Sequence, residues 1–312
     1  MIIGEQKIHF GPTKNKVLII GGCGYVGSAI YDAIPKDKYI VDTLDLEWFG
    51  NYNNPQNIRL DFGVLDEFTL QQYETVIITA ANSSVPLCKD IYDTFDNNII
   101  KFLNIVKEMK RMGQKLIYAS SSCVYVDSST KPRTEDEPLM PNDGLTLSKT
   151  ILDYTLPLID IEYYALRFGS VNGWSPNMRT DLMINSMTLS AKKDNCVKVF
   201  NAEAHRPIVS TTDLARAVIA VLECEEDRRG VYNVSSFNMN IGDVGKRVAD
   251  YMKVPLIDTG KSQTYDFMIS SEKFEKAFNF KFEATVESIV QSILDKPHNK
   301  LWCRRDKRPD YV

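Results

Sequence analysis

The chain has no apolar run near the roughly 18–20 residues needed to cross a bilayer. Its opening stretch, MIIGEQKIHFGPTKNK, lacks the apolar centre and small-residue cleavage site of a secretory signal. A soluble, cytoplasmic protein with no membrane partner is therefore expected. Histidine is scarce: His9, His205 and His298 stand far apart. The six cysteines, Cys23, Cys88, Cys123, Cys196, Cys224 and Cys303, include no C-x-x-C pair. Neither a metal site nor a disulfide framework fits such spacing, so most of these thiols are expected to pack as small hydrophobes. Strong charge of one sign is also missing. With 37 Lys and Arg against 41 Asp and Glu, the net charge of −4 leaves no electrostatic footprint for nucleic acid. There is no internal repeat and no low-complexity segment.

What remains is an ordinary globular composition, 44% hydrophobic and 25% charged, long enough at 312 residues for one large domain or two modest ones. From Lys16 onward, short apolar strands alternate with amphipathic helices. Strands are expected at 16–20, 39–45, 57–62, 74–80, 115–120 and 162–168, and helices at 24–34, 96–112 and 146–156. Gly113 is the expected stop of the long helix. Val- and Ile-rich strands separated by helices imply an α/β, doubly wound parallel sheet covered on both faces. Beyond Phe168 the pattern loosens. A helix at 211–225 opened by a Thr or Asp cap, a strand at 230–236 and helices at 241–252 and 284–295 are still legible.

The first strand–helix turn, GGCGYVG (21–27), places Gly21, Gly24 and Gly27 in the order G-x-x-G-x-x-G. A turn that tight needs positive φ, and bare backbone amides at a helix N-terminus are where a pyrophosphate binds. Tyr25 and Val26 belong to the same loop. Asp45 ends the second strand, where an acid binds the adenosine ribose diol and repels a 2′-phosphate, which selects NAD. Asp61 either accepts from the adenine amino group, with Phe62 beside it, or caps a turn.

At this point the chain resembles the extended short-chain dehydrogenases/reductases, the NAD-dependent nucleotide-sugar epimerases and dehydratases. Besides the glycine loop, the resemblance is carried by VIITAANSSVPLC (76–88), DNNIIKFLNI (96–105), YASSSCVYV (118–126) and HRPIVSTTDLARAV (205–218). It implies a Rossmann domain at 1–168, to which 206–236 returns. A smaller α/β substrate-binding lobe is implied at 169–205 and 237–295, with a basic tail at 296–312. Ala80, Ala81 and Asn98 are then cofactor residues. Ser121 stands at the position of the catalytic hydroxyl, with Ser120 and Ser122 adjacent. Lys149 matches the lysine that binds the nicotinamide ribose.

One position breaks the pattern. Four residues before Lys149, where the family carries its acid/base tyrosine, stands Leu145. A hydrocarbon cannot take a proton, and losing a positioned general base typically costs about 10²–10⁴-fold in rate. Cys123 is either a substitute base or a buried thiol. Ser122 and Cys123 replace the acidic pair of the dehydratases, which disfavours that reaction. In the second half, ALRFGSVNGWSPNMRTDLMIN (165–185) suggests Ser170, Met178, Arg179 and Asn185 as substrate contacts. Arg206 is a candidate phosphate clamp. Arg179 has an alternative as a partner of Asp181. Two classes of function follow: an NAD-dependent epimerase or dehydrogenase acting on a nucleotide-linked sugar, or an NAD-binding protein with little turnover. The resemblance also implies a homodimer.

Overall fold

The computed structural model describes residues 13–125, 131–261 and 264–296. In chain order the elements are β1 (Thr13–Ile20), α1 (Tyr25–Ala33), β2 (Ile40–Leu44), α2 (Glu67–Leu70), β3 (Tyr73–Ile78), α3 (Ile91–Phe95), α4 (Lys101–Met112), β4 (Lys115–Ser121), α5 (Gly144–Thr155), β5 (Glu162–Phe168) and β6 (Ser170–Asn172). They continue with α6 (Met183–Asp194), β7 (Val197–Val199), β8 (His205–Ser210), α7 (Thr211–Leu222), β9 (Gly230–Val234), β10 (Phe237–Asn240), α8 (Ile241–Met252), β11 (Leu256–Asp258), α9 (Glu272–Phe278) and α10 (Val286–Leu294).

Six strands form a parallel sheet in the order β2-β1-β3-β4-β5-β9. Because side chains alternate across a strand, successive residues go to opposite faces. Leu18, Ile20, Val76, Ile78, Leu116 and Tyr118 pack against α4 and α5. Val17, Ile19, Ile77, Ile117, Tyr164 and Leu166 pack against α1, α7 and α9. A third cluster joins α6, α8 and α10 through Ile184, Met187, Val244, Val248, Ile289 and Ile293. Beside it lie a three-stranded sheet, β10-β8-β6, and a two-stranded one, β11-β7. Of the 206–236 stretch, α7 packs on the main sheet and β9 extends it, whereas β8 belongs to the three-stranded sheet.

Three local expectations need correction. Residues 57–62 form no strand; a single bridge joins Ile58 to Leu44. Ile58 and Leu60 are exposed, so of the apparent alternation only Phe62, in the turn that follows, is buried. Side-chain bonds fix this stretch instead: Asn54 donates to Thr43 Oγ1 (2.7 Å), which donates to Asn57 Oδ1 (2.8 Å). The long helix starts earlier than Asp96, because Asp90 caps α3, and a π turn at Asp96–Ile100 joins α3 to α4. Gly113, at φ 64°, ends it as expected. The cap of α7 is neither Thr nor Asp but Ser210, whose side chain accepts from the Asp213 amide at 2.9 Å.

Among the described residues no helix is long and apolar enough to cross a membrane. The basic tail, apart from Lys296, lies outside the described residues.

Candidate active site

The sheet order reverses between β1 and β3, which leaves a crevice at the carboxyl ends of the strands. A cleft of about 1310 Å³, open in part to solvent, occupies that place. The glycines of the first turn are required by sterics. Gly21 has φ +88°, and a Cβ there would lie 2.5 Å from the Ala80 amide nitrogen. A Cβ on Gly27 would fall 2.0 Å from the Gly21 carbonyl oxygen. Gly24 caps α1 with no side-chain bond, so the first amides of the helix face the cleft without a competing acceptor from their own cap.

Asp45 follows β2 at the far side of this cradle. Its carboxylate accepts from the amides of Cys23 (3.1 Å) and Glu47 (2.7 Å), tying the second strand's end to the glycine loop. Ala80, Ala81, Tyr25, Val26 and Phe62 line the cleft with the glycines. Asp61 does not. It caps the turn at Phe62–Val64 through the Gly63 amide (2.7 Å) and pairs with Lys101 at 2.8 Å. Asn98 also turns away: Oδ1 accepts from the Asn82 amide (2.7 Å), and Nδ2 donates to Asn82 O and Ser148 Oγ. Its neighbour Asn97 lines the cleft instead, aimed there by the π turn.

The other end is built by β4 and α5. Ser121 sits half-buried at the end of β4 on the cleft, and its Oγ accepts from the Cys123 amide at 3.2 Å. Ser120 is satisfied by Asp153 (2.8 Å), and Ser122 is buried. Of the three serines, Ser121 is the partly exposed one in the cleft. A capping box between Asp143 and Thr146 opens α5. Leu145 and Lys149 then stand one turn apart, and both line the cleft. Lys149 is 6% exposed and donates from Nζ to the Ala119 carbonyl at 2.8 Å, above the Tyr118 ring. Burial pushes its pKa down to about 8, against smaller upward pulls from Asp153 and Cys88. Three strand spacings separate the ends of β2 and β4, about 14 Å, a span suited to an extended dinucleotide.

Beneath the site is a buried ion pair. Arg167 Nε lies 2.6 Å from Asp153 Oδ2, and the guanidinium also donates to the Tyr125 hydroxyl. Tyr125 in turn donates to Asn233 Oδ1 at 3.0 Å. Burial raises the pKa of Asp153, while Arg167 and Ser120 pull it down.

The residues expected on the substrate side divide. Arg179 lines the cleft, and it also forms a two-pronged pair with Asp181 at 3.1 and 2.6 Å. Met178 and Asn185 are fully buried. Met178 packs in the third cluster, and Asn185 bonds Gly173 N, Tyr25 Oη and Arg179 O. Both support the wall without reaching its surface. Ser170 is half-buried in β6, paired to Ile208 of β8. Arg206 lies over the Tyr265 ring at 5.3 Å and donates to the Tyr265 carbonyl. Cys123 packs against the cluster of Val124, Tyr125, Phe267 and Ile269, as do Leu139 and Tyr265, and burial raises its thiol pKa.

Sequence reasoning missed Asn177, which donates to the carbonyls of Cys23 (2.7 Å), Phe49 (3.2 Å) and Gly50 (3.1 Å) and so ties the chain leading into α6 to the cleft's rim. It also missed Tyr265, whose hydroxyl donates to Asp143 at 2.6 Å, and Asp153, which the i+4 spacing from Lys149 would have placed on the same helix face.

Residues 17–235 match the NAD dependent epimerase/dehydratase family. A putative UDP-glucose 4-epimerase of Methanocaldococcus jannaschii is 28% identical over 68% of this chain and 74% of its own length. The UDP-glucose 4-epimerase of Lactobacillus helveticus is 26% identical over 75% and 81%. The fold is similar to that of UDP-N-acetylglucosamine 4-epimerase from Methanobrevibacter ruminantium M1 in complex with UDP-N-acetylmuramic acid. That likeness has a TM-score of 0.80 at 23% identity and covers 90% of this chain and 98% of the other. It is also similar to UDP-glucuronic acid 4-epimerase from Bacillus cereus in complex with UDP-glucuronic acid and NAD, with a TM-score of 0.77 at 20% identity over 90% and 98%. The glycine cradle, the acid after β2 and the lysine on α5 fit a dinucleotide, and the match spans most of the chain: it belongs to the NAD dependent epimerase/dehydratase family, with NAD as its cofactor.

Proposed function

We propose that this enzyme oxidises a ring hydroxyl of a nucleotide-linked sugar to a 4-keto species, which is either released or reduced on its other face. The observation that carries the reading is the meeting of Ser121, Lys149 and the glycine cradle in one cleft. The names of the relatives, UDP-sugar 4-epimerases among them, support the substrate class. NAD, when bound, supplies the hydride acceptor. Ser121 hydrogen-bonds the reacting hydroxyl, and Lys149 holds the ribose next to it. Gly21, Gly24 and Gly27 leave bare backbone for the pyrophosphate, and Asp45 takes the adenosine ribose. Arg179 and Arg206 are the cations available to a sugar diphosphate on the second-lobe side.

The test is incubation of purified protein with NAD and UDP-, GDP-, CDP- and dTDP-sugars, following the near-ultraviolet band of reduced nicotinamide and the sugar products. Reduction or epimer formation with any one supports the reading; tight NAD binding with neither refutes it. Leu145 favours a second reading, an NAD-binding protein with little turnover, and that second outcome is the one it expects.

We propose further that the protein acts in the cytoplasm as a homodimer. Ile91, Tyr92, Ile100, Tyr154 and Leu158 are exposed along α3, the π turn, α5 and the turn after it, an apolar surface suited to a second copy. Light scattering at several concentrations checks the mass.

A further inference from the structure

Deepening the oxidoreductase reading, on which this rests, we infer that Lys149 itself takes the proton of the sugar hydroxyl, in place of a side chain at position 145. No other described residue of the cleft can serve beside Ser121. Its ionisable lining residues are Cys23, Tyr25, Asp45, Lys149 and Arg179. Asp45 and Cys23 lie together at the adenosine end, joined through the Cys23 amide. Tyr25 donates its hydroxyl proton to the Gly173 carbonyl at 2.8 Å and accepts from Asn185, inside the third cluster. Arg179 is a permanent cation paired with Asp181. Among the described residues that line the cleft, Lys149 alone of these five shares the Ser121 end, with Leu145 one turn before it.

Two nearby groups outside the lining are poor acceptors. The Tyr265 hydroxyl already donates to Asp143, and burial and that carboxylate both raise its pKa. The Cys123 thiol is raised by burial. The surroundings of Lys149, by contrast, favour a neutral amine. The groups that face it are Asp153 on its own helix, Cys88 from the turn after β3 and Tyr118 from β4. Tyr118 is fully buried and its pKa is raised well above the ordinary value, so it carries no charge. Cys88 is raised by burial as well. Asp153 is held by Arg167 of β5, which leaves little net negative charge to keep Lys149 protonated. Hence its pKa of about 8, the range in which a lysine serves as a general base.

In the forward step the hydroxyl O–H bond breaks and its proton goes to the Nζ lone pair, directly or through one water. Oxidised NAD, when bound, would accept the carbon's hydride with both its electrons as the carbon–oxygen double bond forms. Lys149 becomes an ammonium, and the hydride would reside on the bound nicotinamide; return of that proton and hydride to the keto sugar would balance the reverse step. One N–H can stay on the Ala119 carbonyl throughout.

The experiment has two arms. Without sugar, the ε-amine of Lys149 is titrated by NMR after ¹³C reductive methylation, with Lys149→Arg identifying the signal. A midpoint near 8 is expected, and one near the ordinary 10.5 overturns the inference. With NAD and the UDP-sugar panel, NAD reduction is expected to rise with pH through about 8 and level off above it. Lys149→Arg is expected to bind NAD within about tenfold of the unaltered protein yet reduce it about 10²–10⁴-fold more slowly. Added ethylamine is expected to restore reduction to Lys149→Ala in proportion to its free base, a rescue that a purely structural lysine would not show. Reduction that survives Lys149→Arg, or is flat with pH, overturns the role of Lys149 and leaves the oxidoreductase reading standing. No reduction by the unaltered protein with any sugar overturns the oxidoreductase reading, and the proton-acceptor role falls with it.

Discussion

Arg167 Nε lies 2.6 Å from Asp153 Oδ2, and both side chains are buried beneath the cleft floor. Taking two charges out of water is costly, and their mutual attraction offsets that cost only while both remain. Asp153→Ala is expected to lower the unfolding free energy by about 3–5 kcal/mol, read by urea denaturation. Replacing both residues with apolar ones of similar size is expected to recover much of that loss. A single replacement that leaves stability unchanged would show that the pair is solvated.

Lys149 gives stability a pH dependence. Its pKa falls from 10.5 to about 8 in the folded chain. Between those values the unfolded chain holds a proton that the folded one lacks, so this residue's contribution to stability rises with pH from about 8 to about 10.5. Below pH 8 the full penalty is present, at most about 3 kcal/mol. Lys149→Met is therefore expected to stabilise the cofactor-free protein at pH 7, with the gain fading by pH 10.5. Urea denaturation at both pH values checks it.

Gly27→Ala puts a Cβ 2.0 Å from the Gly21 carbonyl oxygen, a backbone atom that can yield only by shifting the phosphate loop. NAD affinity is expected to fall at least about tenfold, a loss of about 1.4 kcal/mol or more. Fluorescence titration gives the affinity, and circular dichroism shows whether the fold is intact.

Asp45→Ala removes the acid that accepts from Cys23 and Glu47. NAD is expected to bind more weakly and the preference over NADP to shrink, because the repulsion of a 2′-phosphate goes with the carboxylate. Parallel titrations with the two dinucleotides measure the ratio, and an unchanged ratio refutes this role for Asp45.

Leu145→Tyr restores a phenol one turn from Lys149 on the cleft. Sugar-dependent NAD reduction at pH 7 is expected to increase, by up to about 10²-fold, whereas Leu145→Phe is expected to leave the rate nearly unchanged. The comparison separates proton transfer from a change of packing.

The main sheet was readable because its information is local. Val17, Leu18, Ile19 and Ile20 alternate between two buried faces, and each helix carries its own apolar stripe. The glycine loop and Asp45 were readable for the same reason, since turn geometry and strand end lie within 25 residues of one another. The stretch 57–62 misled because Ile58 and Leu60 have the right spacing but no neighbour to bury them. Asn177 and Tyr265 were invisible because their partners are remote: Asn177 reaches back 154 residues to Cys23, and Tyr265 reaches 122 to Asp143. Asn97 and Asn98 depended on a π turn, which shifts the register of a helix face without a sequence signature.

The three carbonyls held by Asn177 belong to the glycine loop and the turn at Phe49–Gly50, while Asn177 itself comes from the chain leading into α6. One amide group thus acts as a latch across the mouth of the cofactor groove. Any movement of the Phe49–Gly50 turn away from the glycine loop has to break these bonds first.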